Sequence, residues 1–225
     1  MRKFILYLII LAIGFGLGAG AFRLFYKNSH DSRLTSEENG ISVNSAVSTD
    51  ALIKPEFTNK QLIDFAYTTL LHIRMRDYSS LSETVHPEYG LVFSPGSTVN
   101  LSSNKCFSKE QVSAFSEDTV DYVWGVKESG EPIELTVEEY FSEYVYIYDY
   151  LNAEIIGINE IVRSGNALEN VREVFPEAYF IDFYISGENQ NIMEGNISWT
   201  ILRLVFEEYE GELKLTAVIH SEYTA

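Results

Sequence analysis

Ile197-Ser198-Trp199-Thr200-Ile201-Leu202-Arg203-Leu204-Val205-Phe206 and Leu213-Lys214-Leu215-Thr216-Ala217-Val218-Ile219-His220 decide the fold of this chain. Both runs are dense in β-branched and large apolar residues. Glu208-Tyr209-Glu210-Gly211 lies between them, so they read as two strands of a hairpin. Side chains along a strand alternate between faces. Leu213, Leu215, Ala217 and Ile219 therefore form one face of the second strand, predicted to be core. Lys214, Thr216, Val218 and His220 form the other, which looks at solvent or into a concave mouth. Arg203 shares a face with Ile197, Trp199, Ile201 and Val205.

Upstream, Ala178–Ile185 (Ala-Tyr-Phe-Ile-Asp-Phe-Tyr-Ile) is a further strand candidate. Ile155–Val162, Val120–Val126 and Leu91–Pro95 are three more. Helices come earlier. Thr58 and Gln61 make a capping box, followed by Leu62, Phe65, Ala66, Thr69, Leu70 and Ile73 at helical spacing. Ser79–Val85 and Ser108–Phe115 read as short helices. Thr136 and Glu139 make a second box. The helix behind it buries Tyr140, Phe141, Tyr144, Val145, Tyr148 and Leu151, leaving Tyr146 and Tyr150 outside the core stripe as an exposed aromatic patch. Helices first, then mostly strands, predict an α+β domain over 58–225 with helices packed on one face of an antiparallel sheet. Residues 28–57 are polar and lack apolar periodicity, which reads as a flexible tether.

The amino-terminal segment sets location. Arg2-Lys3 is followed by Phe4 to Phe22 without a charge, then by Arg23 and Lys27. Nineteen helical residues span about 28 Å, close to the hydrocarbon thickness of a bilayer. Residues 1–27 therefore read as an uncleaved single-pass anchor, touching the membrane through residues 4–22. The alternative is a signal segment cut near Ala21, after the small-x-small run Ala19-Gly20-Ala21, giving a secreted protein. Either way the carboxy-terminal domain is expected to be extracytoplasmic. Gly14, Gly16, Gly18 and Gly20 give two overlapping G-x-x-x-G spacings, a pattern that lets membrane helices approach closely.

Composition excludes several classes. Four of the sixteen Lys+Arg lie in the first 27 residues and none of the 33 Asp+Glu does, so the remainder carries a net charge of −21. Such a surface repels nucleic acid and anionic lipid. Cys106 is the single cysteine, so an internal disulfide is excluded and the domain is held by its core. No D-x-D-x-D-G loop, Walker loop, H-E-x-x-H, G-x-S-x-G or C-x-x-C occurs. No catalytic residue, metal ligand set or cofactor follows from the motifs.

The hairpin Trp199 to Glu208, its Gly211 turn and Leu215 to His220 resemble the closing hairpin of nuclear transport factor 2-like domains, which are cone-shaped α+β folds. His86-Pro87-Glu88-Tyr89-Gly90, Phe93-Ser94-Pro95, Val123-Trp124-Gly125, Ser129-Gly130-Glu131-Pro132-Ile133 and Tyr140 through Ala153 resemble segments of uncharacterised exported bacterial proteins, over about residues 60 to 223. Ile147 departs from that set, which carries Asp there; Asp149 remains. The resemblance implies the cone fold, with helices packed on a curved antiparallel sheet. It implies no activity, because that fold hosts enzymes and binding modules alike.

Five residues stand out as candidate ligand-binding positions. His86 precedes Pro87 and is either a pocket-rim acid/base or a turn cap. His220 reaches the mouth or solvent. Arg203, on an apolar face, needs a carboxylate: Asp121, Asp149 or Asp182 in a structural pair, or a ligand anion in a pocket. Trp124 and Trp199 either floor an aromatic pocket or fill the core. The reading that follows is a non-enzymatic binding or interaction module with a protein or cell-envelope partner. The alternative is a small enzyme using a cone pocket, with His86 or His220 as acid/base and Arg203 as anion hook.

Overall fold

The structure is a computed structural model that describes residues 57–127, 129–187 and 197–224. The chain divides into two units, Met1–Lys54 and Pro55–Ala225. The expected membrane segment and all of the tether but Phe57 lie outside the described residues. Among the described residues no helix is long and apolar enough to cross a membrane.

The second unit is α+β. Helix α1 (Asn59–Met75) starts at the capping box foreseen at Thr58 and Gln61, and ends where Arg76 turns left-handed at φ 54°. It buries Leu62, Ala66, Thr69, Leu70 and Ile73, one face at helical spacing. Helix α2 (Tyr78–Thr84) follows after an Asp77 cap. The chain then alternates: β1 (Leu91–Ser94), β2 (Lys105–Phe107), α3 (Lys109–Ser113), β3 (Tyr122–Val126), β4 (Pro132–Leu135), α4 (Val137–Tyr140), β5 (Ile155–Ile158), α5 (Val171–Val174), β6 (Tyr179–Ser186), β7 (Ile197–Tyr209) and β8 (Glu212–Thr224).

Six strands make one sheet in the order β2-β1-β8-β7-β6-β5, and β3–β4 make a separate hairpin. The expected hairpin is the longest pairing, running from Tyr209↔Glu212 to Ile197↔Thr224. The sheet is mixed, however, not antiparallel throughout: β1 runs parallel to β8, with Val92↔Ala217 and Ser94↔Ile219. The sequence of β1 does not encode that direction, because its partner lies more than a hundred residues away and no turn joins them.

Three further expectations change. The helix behind Thr136 ends early: after Tyr140 the chain makes one wider turn, Phe141–Val145, and leaves the helix at Tyr146. Residues beyond it no longer follow helical spacing, so Tyr150 is fully buried and its hydroxyl meets Thr200 Oγ1 at 2.9 Å. Tyr146 is half-buried and donates to Asp149. No aromatic patch forms from this pair. The strand expected at Ile155–Val162 stops at Ile158, since Asn159 turns left-handed and the chain folds back against Gly157.

Both faces of the large sheet are covered. On one, Leu62, Ala66, Leu70 and Ile73 pack with Phe183, Leu202, Leu204 and Phe206 in the main core. On the other, irregular chain and the short helix α5 lie over the strands. There Val162 packs with Trp199 and Ile201, Arg172 stacks over Phe180, and Asn170 exchanges two hydrogen bonds with Val99.

The turn into β1 tests this packing. Gly90 sits at φ +72°, and a Cβ there would lie 2.5 Å from the Phe107 carbonyl oxygen of the edge strand. Gly130 has φ +85° but open space around it. Gly90→Ala is expected to cost about 2–3 kcal/mol and Gly130→Ala about 1 kcal/mol, read from urea midpoints.

Candidate functional site

Arg203 sits mid-sheet on β7, opposite Asp182 of β6 in register. Arg203 Nε donates to Asp182 Oδ1 at 2.6 Å and Nη2 to Oδ2 at 2.9 Å, a two-pronged pair. Nη1 donates to Glu169 Oε2 at 2.6 Å, and the Phe180 ring lies 5.2 Å beneath the guanidinium. The side chains of Arg203 and Asp182 are inaccessible to solvent. Burial works against the positive charge, but the bonds and attraction of Asp182, then Glu169, outweigh it and raise the guanidinium pKa. Asp182 is one of the three carboxylates expected to satisfy Arg203. Glu169 was missed: it lies in irregular chain, where no periodicity signals which way a side chain points.

His220 lies on the opposite face. Phe206 pairs with Leu215 and Val205 with Ala217, so Thr216 is an extra residue, a bulge. The bulge reverses the alternation. Leu213 and Leu215 now share the main core with Val218, and His220 follows on that same side. The expected face of Lys214, Thr216, Val218 and His220 does not exist, and Ala217 and Ile219 lie on the Arg203 side. His220 Nε2 is 3.2 Å from Glu222 Oε2, whose carboxyl the hydrogen bond from His220 holds below the usual range. Its ring meets the Tyr144 ring edge-on at 5.8 Å. Among the described residues His220 Nδ1 is buried without a partner.

Trp124 fills the core on that same side. It stacks on Tyr140 at 3.8 Å, and Tyr140 stacks on Tyr144 at 5.1 Å, so a column of rings runs from Trp124 towards His220. Its indole N–H donates to the Leu135 carbonyl. Trp199 lies on the Arg203 side between Tyr184 and Tyr223. His86 is elsewhere again, at the turn before β1. Its Nδ1 accepts the backbone N–H groups of Glu88 and Tyr89, and its ring stacks on Tyr89 at 4.2 Å. That is a turn cap.

The five candidates therefore do not converge. Trp124 and His220 share one side of the sheet, Trp199 and Arg203 the other, and His86 stands apart. Among the described residues no group of three or more His, Cys, Asp or Glu is placed to hold a metal ion. No protein-family model and no curated protein matches this chain.

One concave surface was not anticipated. A solvent-open groove of about 450 Å³ lies between the first half of α1 and the β7–β8 turn. Phe57, Phe65 and Leu213 give it an apolar floor; Gln61, Asp64, Thr68, Glu212 and Lys214 complete its walls. Phe65 was read as core by its spacing. It is half-buried, with its ring packed edge-on against Phe206 of β7 on one side and lining the groove on the other.

The role of His86 has a pH signature. Burial, then nearby Lys214, pushes its pKa down to about 4 from 6.5. The unfolded chain takes up this proton below about pH 6.5, whereas the folded chain resists it until about pH 4. Stability is thus complete above that window and lost as the pH falls through it, by roughly 2–3 kcal/mol. His86→Asn keeps an acceptor for the turn and removes the titration. Its stability is expected to fall less steeply than that of the unaltered protein between pH 6.5 and 4 in urea unfolding; equal slopes would contradict the assignment.

Proposed function

We propose that the protein is a membrane-tethered, extracytoplasmic binding or interaction module built on a nuclear transport factor 2-like cone. The observation that carries this reading is how the polar candidates are used. Arg203 spends its donors on Asp182 and Glu169, and His86 spends its acceptor on its own turn. Among the described residues the groove beside α1 is both accessible and concave, and its walls hold no histidine. The uncharged run Phe4 to Phe22 and the −21 net charge beyond it support an anchored domain facing away from anionic lipid. The helices on one sheet face and the long closing hairpin are in keeping with the cone, although that likeness rests on sequence motifs.

The second reading is a small enzyme. The His220–Glu222 contact, with Nδ1 left over, resembles an acid/base pair oriented by a carboxylate. Against it, Arg203 lies across the sheet from His220 and is already neutralised, so the two cannot act on one substrate.

Fractionation with mass spectrometry of the amino terminus tests the main reading. The expected result is a chain retaining residues 1–27 in the membrane fraction, its 58–225 domain digested by protease added outside the cell. A mature terminus at Phe22 in the medium would select the secreted form. A full-length, protease-protected chain in the cytosol would overturn both.

A further inference from the structure

We infer that the groove between α1 and the β7–β8 turn docks a basic amphipathic polypeptide segment. This rests on the binding-module reading and names the partner class that reading leaves open. The floor is preformed. Phe65 packs edge-on against Phe206 at 5.2 Å, and Phe57 against Tyr179 at 5.9 Å, so neither ring is free to collapse into the space. Filling it removes apolar surface from water without a cost for reorganising the floor.

The opening argues for a polypeptide. Small-molecule sites bury most of their ligand, and this groove is largely open to solvent. A partner that brings its own surface covers the remainder, as an amphipathic helix does when its apolar side chains anchor in a groove.

Charge fixes the sign of the partner. Asp64 and Glu212 stand on the rim with 60% and 72% of their side chains exposed. Glu208 pairs with Leu213 across the hairpin and so shares its face, and Glu210 lies in the turn. Lys60 and Lys214 answer two of these four carboxylates through pairs whose acidic partners are well exposed. Such pairs are worth little, so an incoming cation exchanges with them at small cost. The −21 charge beyond residue 27 steers cationic partners inward and repels acidic ones.

The test uses the full chain in an uncharged detergent and three labelled synthetic helices: one with leucine and lysine faces, one with leucine and glutamate faces, and one with lysine and serine only. Binding is read by fluorescence anisotropy at two salt concentrations. Thr68→Trp fills the groove from an exposed helix position, and its thermal midpoint verifies folding. Used in the same detergent, it also cancels any attraction of peptide to micelles. The leucine–lysine helix is expected to bind the unaltered protein. Thr68→Trp should weaken it at least about tenfold, and D64N/E212Q about threefold with a flatter salt dependence. Equal binding to Thr68→Trp, equal binding of the lysine–serine or leucine–glutamate helix, or no binding at all would each overturn the proposal. Failure of the underlying reading would show separately, as a cytosolic chain in the fractionation experiment.

Discussion

Arg203 is fully buried at the middle of the sheet, and its charge constrains the rest of the structure. A guanidinium taken out of water needs carboxylates in good geometry, or folding fails there. Asp182 supplies one from the adjacent strand, which ties the register of β6 to that of β7. Glu169 supplies the other from irregular chain, which holds that chain down across the face. Val162 adds a backbone bond to Asp182, and Asn170 binds Val99 just beyond. One ionic cluster thus explains why irregular chain and the short helix α5 suffice to cover the second sheet face.

That covering bears on the proposed function. A sheet with α1 on one face and pinned loops with the short α5 on the other keeps its polar side chains for internal use. His86 is a cap, Trp124 an element of an aromatic column, and Arg203 the hub of an ion cluster. On the proposed reading, recognition falls to the groove between α1 and the β7–β8 turn, where Phe65 of the helix's apolar stripe stays half-buried.

Local chemistry was legible in the sequence. The boxes at Thr58/Gln61 and Thr136/Glu139 are present, and a third forms at Ser108/Gln111. The closing hairpin, its glycine turn and the Asp182 partner of Arg203 were legible too. What failed depended on single-residue irregularities. The extra residue at Thr216 reversed the faces of β8 and moved His220 from a face expected at solvent or a mouth to the core side. The wide turn at Phe141–Val145 removed Tyr146 and Tyr150 from the helix that would have displayed them. Neither has a strong signature, because the flanking residues suit both conformations. The parallel β1–β8 pair and the groove arise from long-range packing, which periodicity does not report.

The central claim is that Arg203 is structural and unavailable to a ligand, and a stability cycle on the full chain tests it most directly. Denaturant unfolding is compared for the unaltered protein, R203M alone, and R203M/D182L/E169M. The single change leaves buried carboxylates unpaired and is predicted to cost roughly 3–5 kcal/mol, most of it regained when all three charges are replaced together. If R203M were as stable as the unaltered protein, the guanidinium would not be needed by the fold, and the account would be wrong.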